Sequence, residues 1–284
     1  MIVTVNLSSR TFKCEPVPAE MIRKYLGGRG LAEAIIASMG SRPLDPFAPR
    51  APVVFAPGLL TGSGAPSSAR WAVAAKSPAS RLVSAGNGGG FFGARMAWCG
   101  VRALVIVGRA SEPVLLRITA GNGTGMADGR APAGAVPYVE VIPCGDLWGM
   151  DTVQAQRVAS ARWSEGTGAS LACIGPAGER LVLIANIIAE GARAAGRGGL
   201  GAVLGSKNLK GILVEADEPA GAVSRRRSSR CVDFNYAFSG TPYYKTHSRW
   251  GTINALRRYN QDGGLVVNNG LMGHFAGADL LSGE

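Results

Sequence analysis

Histidine is almost missing: His247 and His274 are the only two in 284 residues. A zinc site built on clustered His and Cys therefore has no basis. A Ser–His–Asp arrangement is unmarked as well, since no G-x-S-x-G elbow occurs. The five cysteines, Cys14, Cys99, Cys144, Cys173 and Cys231, include no pair at CxxC spacing. Their odd number, with no secretory signal, argues against a disulfide framework, so a reduced, cytoplasmic setting is expected. Cys99 reads most simply as a core residue. Long apolar runs are lacking too. The longest, Leu181 to Ala189, falls far short of the roughly 20 residues that a spanning helix needs, so no membrane insertion is expected. Acidic residues are scarce: 19 Asp+Glu stand against 30 Lys+Arg, giving a net charge of +11. Such an excess suits polyanions, whether nucleic acid, phospholipid or a phosphate-bearing cofactor, and it also serves plain solubility.

Glycine is what the chain has in abundance. There are 41, about twice the usual share of roughly 7%, and they fall in clusters rather than in a collagen-like period. Hydrophobic residues make up 46% and charged residues 17%, enough apolar material for a real core.

Strand-like segments recur along the chain. Ile2 to Leu7 alternates, and Thr11-Phe12-Lys13 begins a return strand after a turn. Pro52 to Pro57, Trp71 to Ala75, Ala103 to Val107, Val114 to Ile118, Leu171 to Ile174, Leu181 to Ile184 and Gly211 to Glu215 read as further strands. Helices are expected over Glu20 to Leu26, with Gly27 to Gly30 breaking it, over Leu31 to Met39, and over Thr152 to Trp163. Residues 120 to 137 read as a Gly/Ala/Pro loop. Two stretches look alike. Pro57-Gly58, a glycine-rich turn, Ala103 to Val107 and Glu112-Pro113 are echoed by Gly175-Pro176, a second such turn, Ile212 to Glu215 and Glu218-Pro219. This hints at an internal duplication. A linker is expected at 219–240, where Arg225-Arg226-Arg227 and Arg230 sit among serines. A solvated connector explains that run better than nucleic-acid binding does.

Three segments combine glycine with arginine or other polar groups: Thr61 to Arg70, Ser84 to Gly93, and Arg193 to Gly201. Exposed backbone N–H groups can cradle a phosphate. Glycine lets that backbone approach, and arginine adds a planar fork. A single glycine-rich turn more often just bends the chain. Three in one chain point to a ligand bearing several phosphates. None is a Walker loop or a dinucleotide fingerprint.

An ordered series of motifs then stands out: Gly27-Gly28-Arg29-Gly30-Leu31-Ala32, Pro57 to Gly62, Ala65-Pro66, Lys76-Ser77-Pro78, Asn87 to Gly93, Leu147-Trp148-Gly149, Gly175 to Glu179, Arg193 to Gly199 and Gly205 to Lys210. Over about residues 1 to 215 this set resembles the N-terminal domain of the aldehyde ferredoxin oxidoreductase family. Tyr243-Tyr244-Lys245, Trp250-Gly251-Thr252, Asn260 and Gly263-Gly264-Leu265 look like the start of the family's next domain.

The resemblance implies an α+β fold of paired, twisted β-sheets with short helices. The expected division is a pterin-cradling domain at 1–218, the basic linker, and an incomplete second domain at 241–284. It implies a tungsten or molybdenum bis-pterin held by Arg70, Asn87, Gly89, Arg193, Ala194, Gly196 and Arg197. Asn87 and the Ala194 carbonyl would ligate a magnesium ion that bridges pterin phosphates. The implied reaction is oxidation of an aldehyde to a carboxylic acid, with electrons passing through a 4Fe–4S cluster to ferredoxin. The cluster's Cys-x-x-Cys-x-x-x-Cys ligand set does not occur in this sequence. The expectation is therefore a gene fragment, or one subunit of a split enzyme whose partner carries the missing domains. A non-catalytic pterin-binding protein is the alternative.

Overall fold

Val3 and Val5 are buried while Ile2, Thr4 and Asn6 are half-buried, so the first strand turns one face to a core, as its alternation requires. The computed structural model describes residues 1–40, 43–65, 67–121, 136–163, 168–217, 240–268 and 270–282. The chain divides into two units, Met1–Arg226 and Arg227–Glu284. Most of the predicted linker, 219–239, lies outside the described residues, as does most of the predicted loop at 120–137.

The first unit is one pattern written twice. Its first half runs β1 (Ile2–Asn6), β2 (Thr11–Glu15), α1 (Ala19–Tyr25), α2 (Gly28–Ser38), β3 (Val53–Pro57), β4 (Trp71–Lys76), β5 (Val83–Gly88), α3 (Phe92–Trp98) and β6 (Ala103–Val107). The second runs β7 (Val114–Ala120), β8 (Pro137–Pro143), α4 (Thr152–Trp163), β9 (Ala169–Cys173), α5 (Pro176–Glu179), β10 (Ile187–Ala189), β11 (Arg193–Ala195), α6 (Leu200–Gly205) and β12 (Leu209–Glu215). The first sheet has the order β2-β1-β6-β3-β4-β5 and the second β11-β10-β9-β12-β7-β8. Adding six to each strand number of the first sheet yields the second. The directions repeat as well: β1/β6 and β7/β12 are parallel, and every other pairing is antiparallel. The duplication hinted at by the sequence is thus present in the topology.

The sheets share a core. Val3, Val5, Phe55, Val73, Leu104 and Ile106 of the first meet Leu116, Ile118, Ala172, Ile187, Ile212 and Val214 of the second. A helix covers each outer face. Leu31, Ala32, Ile35 and Ile36 of α2 pack on Val54, Ala74 and Val105. Ala155 and Ala159 of α4 pack on Leu115, Leu171 and Leu213. Each large aliphatic side chain buried this way contributes about 1.5–3 kcal/mol. Two long basic side chains clasp the halves together. Lys207 Nζ donates to Gly108 O at 3.2 Å and to Pro49 O at 2.8 Å. In the reverse direction, Arg95 Nη1 of the first half donates to Ala216 O of the second.

Several expectations need correction. Gly28 to Gly30 form the first turn of α2 rather than a break, which falls at Leu26 and Gly27. Leu181 to Ile184 are not a strand. They form turns with exposed side chains, Ile184 at 77%, and the strand lies later, at β10. Half of the second glycine segment is β5, and the third begins with β11. Helices α3 and α6 and strand β8 had no periodic signal strong enough to reveal them.

The second unit holds α7 (Pro242–Trp250), α8 (Leu256–Gln261) and α9 (Ala278–Leu281). Thr241 caps α7 by accepting the Tyr244 N–H, with Pro242 in the first turn.

Candidate functional site

The three glycine-bearing segments predicted as cradles are fixed by different devices. The loop from Gly58 to Arg70 closes on itself. Gly58 N–H donates to Arg70 O at 3.0 Å, and the Thr61 hydroxyl sits 2.6 Å from Ser68 O and 2.8 Å from Arg70 O. Trp98 Nε1 donates to Gly62 O at 2.9 Å and pins the loop's far side. Arg70 is thereby delivered to the start of β4, where Nη1 donates to Asn87 Oδ1 at 3.3 Å.

The second segment bends around Trp71. This buried indole stacks on Phe55 and meets Phe92 edge-on at 4.9 Å. Its Nε1 donates to Gly89 O at 3.1 Å. A Cβ on Gly88 would lie 2.6 Å from the Trp71 ring, so that glycine is required by packing.

The third segment comes from the other sheet. Strands β5 and β11 are the edge strands of their sheets and meet where a Cβ on Gly86 would be 3.3 Å from Ala195. This contact brings Asn87 and Ala194, each one residue away from it, to the same seam. The β10–β11 turn carries Glu190, whose carboxylate accepts the Phe91 N–H at 2.7 and 2.9 Å and the Ser170 hydroxyl at 2.7 Å.

Together these pieces line an open cleft of about 660 Å³, with Ser67, Arg70, Gly89, Gly90, Arg193 and Ala194 among its walls. A cavity of about 430 Å³ adjoins it, shares Ser67, Ala69, Gly90 and Arg193, and adds Phe91, Ala94 and Trp98. Of the predicted residues, Arg70, Gly89, Arg193 and Ala194 line the main cleft. Asn87 is tied to Arg70. Gly196 and Arg197 follow directly on β11 and are exposed without lining the cleft.

Two features suit this seam to an anion. Arg193 and Arg197 are exposed and have no side-chain partner among the described residues, so their forks are available to a phosphate. Gly89 and Gly196 lack a packing reason to be glycine. A Cβ on either would meet nothing nearer than 3.8 Å, and neither has a positive φ. Their missing side chains instead leave backbone open, that of Gly89 to the cleft and that of Gly196 to the surface beside it. The family model described as "Aldehyde ferredoxin oxidoreductase, N-terminal domain" matches residues 2–216. This chain belongs to that family.

Among its relatives, the tungsten-containing aldehyde ferredoxin oxidoreductases of Pyrococcus furiosus and Pyrococcus horikoshii are each 33% identical to it. The alignments cover 99% and 100% of this chain and 44% of each relative. An aliphatic sulfonate oxidoreductase WOR-like subunit of Pyrococcus furiosus is 26% identical over 88% of this chain and 39% of its own length. A similar solved structure is the active-site complex BamBC of benzoyl coenzyme A reductase with 1,5-dienoyl-CoA. It has a TM-score of 0.68 and 27% identity, covering 77% of this chain and 31% of that one. The chain therefore spans less than half the length of these relatives.

Other motifs of the family series are structural here. Glu179 and Lys210 form a buried ion pair at 2.5 Å, with Lys210 also donating to Met150 O and Glu179 accepting the Gly149 N–H. That cluster joins the Leu147-Trp148-Gly149, Gly175 to Glu179 and Gly205 to Lys210 motifs. Cys99, Cys144 and Cys173 are buried, which pushes each thiol up to about 12. Among the described residues, no three His, Cys, Asp or Glu side chains gather as a metal site, and no helix is long and apolar enough to cross a membrane. The Arg225–Arg230 run lies outside the described residues. Sequence reasoning missed Glu190 and Trp71. Glu190 is the sole carboxylate between Leu181 and Gly205, a signal that could have drawn notice.

Proposed function

We propose that this chain is the cofactor-cradling part of a tungsten or molybdenum bis-pterin oxidoreductase that acts on aldehydes. The observation that carries this reading is the seam itself: two copies of one supersecondary pattern meet at their edge strands, and their glycine and arginine residues converge there. A cofactor made of two similar phosphorylated halves suits such a repeated seat.

Arg70, Arg193 and Arg197 hold phosphate through charge-assisted bonds, each worth about 1.5–3 kcal/mol. Gly89 and Gly196 let the backbone close on the pterins. Asn87 and the Ala194 carbonyl supply oxygen ligands to magnesium, a hard cation. When bound, the tungstopterin supplies the two-electron oxidation of aldehyde to carboxylic acid. No cluster of His, Cys, Asp or Glu among the described residues offers to ligate tungsten directly, so the pterins would carry it. The sequence contains no Cys-x-x-Cys spacing. The 4Fe–4S cluster, and the route to ferredoxin, would therefore come from polypeptide corresponding to the rest of the relatives. The same cysteine pattern favours a second reading, a pterin-binding subunit without turnover of its own.

The test is metal and phosphorus analysis of protein purified without oxygen from a host that makes tungstopterin. Near-stoichiometric tungsten or molybdenum with phosphorus, lost in an Arg193→Ala/Arg197→Ala variant, is the expected result. Protein free of metal and pterin would overturn the cradle. Loaded protein that never reduces a viologen dye with aldehydes would favour the second reading.

A further inference from the structure

Glu190 stands out because a carboxylate beside an anion cleft should repel the ligand, yet both oxygens of this one are engaged by protein donors. It accepts the Phe91 N–H through both oxygens, at 2.7 and 2.9 Å, and the Ser170 hydroxyl at 2.7 Å. Ser170 in turn accepts from Arg95 Nε at 3.0 Å, and the Arg95 charge lies close enough to attract the carboxylate. The Glu190 backbone adopts φ +49°, a left-handed conformation that residues with a side chain rarely take. A Cβ on Gly90 would fall 2.0 Å from Glu190 Oε2, so Gly90 must be glycine for the carboxylate to reach Phe91.

The two partners of this contact belong to different halves of the seam. Phe91 directly follows Gly89 and Gly90 on the first sheet's side. Glu190 sits three residues before Arg193 in the turn that feeds β11 on the second. We propose that Glu190 is a positioning residue, a strut that sets the spacing between the Gly89–Gly90 backbone and the Arg193–Ala194 backbone across the cleft. With the strut in place, N–H groups and arginine forks from both sheets face one ligand at fixed separation, and its negative charge is spent on protein donors. The proposal rests on the reading of the cleft as a phosphate cradle.

The probe is magnesium pyrophosphate, titrated calorimetrically into wild type, Glu190→Ala, Glu190→Gln and, as a control, Glu179→Ala, all below their melting temperatures. Wild type binds. Glu190→Ala binds at least about tenfold more weakly, which corresponds to about 1.4 kcal/mol. Glu190→Gln, which keeps the strut's length and its acceptor oxygen, stays within about threefold of wild type. Glu179→Ala, destabilised at a residue that lines neither cavity, keeps wild-type affinity. Wild-type affinity in Glu190→Ala, or equal loss in Glu190→Gln, would overturn the strut while leaving the cradle standing. No binding by wild type would overturn the cradle, and the strut with it. Should Glu190→Ala fail to fold, Ser170→Ala removes one of the carboxylate's donors behind the cleft. A loss of about threefold supports the strut and unchanged binding refutes it.

Discussion

Removing the Glu179 carboxylate tests how the second sheet is braced. Lys210 is fully buried, and its ammonium has two acceptors: Glu179 Oε1 at 2.5 Å and Met150 O at 2.8 Å. Glu179→Ala leaves a positive charge in a dry site with one carbonyl. Breaking a buried pair in this way costs about 3–5 kcal/mol, because the remaining ion cannot recover its hydration. The Gly149 N–H, which donates to Glu179 Oε2 at 2.8 Å, loses its acceptor as well. For a folding unit of this size 1 kcal/mol moves the melting temperature by about 2–4 °C, so a fall of about 6–20 °C is expected. Lys210→Met should lose a comparable amount by stranding the carboxylate. The double variant Glu179→Leu/Lys210→Met should be more stable than either single variant, since an apolar pair of similar volume needs no hydration. The assay is thermal and urea unfolding followed by circular dichroism, with the coupling taken from the double-mutant cycle closed by the Glu179→Leu single variant. A loss below about 1 kcal/mol in Glu179→Ala, or additive losses in the double variant, would refute the reasoning.

Glycine substitutions should separate packing from approach. Gly88→Ala, driven into the Trp71 ring, should destabilise the unit strongly on thermal melting. Gly89→Ala should leave the melting temperature nearly unchanged yet weaken magnesium pyrophosphate binding. Burial, helped by the nearby Arg109 charge, pulls Lys207 down from the ordinary lysine value of 10.5 to about 7. The unfolded chain then holds that proton more tightly between pH 7 and 10.5, so stability rises with pH across the window. Lys207→Met should show a flatter urea-midpoint profile there. Among the described cysteines, the half-buried Cys14 should react first with an aromatic disulfide reagent at pH 8. Cys99, Cys144 and Cys173, buried and held near 12, should react only on unfolding.

The sequence by itself determined the core strands and marked the glycine- and arginine-bearing segments that line the cleft. Ala103 to Val107 and Val114 to Ile118 are apolar enough to be strands wherever they fold. Glycine beside arginine marked the three segments, the family resemblance named Arg70, Gly89, Arg193 and Ala194 within them, and the fold brings those four to one cleft. What the tertiary structure decided was where those pieces go. The β5 sequence, Val-Ser-Ala-Gly-Asn-Gly, reads as a loop because glycine and asparagine disfavour strands locally. It is a strand because β4 supplies its ladder, while Trp71 and Ala195 leave no room for larger side chains. Leu181 to Ile184 failed in the opposite sense: an apolar run suggested a strand, but no neighbouring strand accepts it and the side chains stay exposed. The repeat was faint in sequence because the two copies share little beyond their turns. It is plain in space because strand order depends on which faces need covering, and many sequences satisfy that equally well. Glu190 belongs to the tertiary structure alone. Its meaning comes from Phe91, 99 residues away, and only the meeting of the two edge strands brings them together.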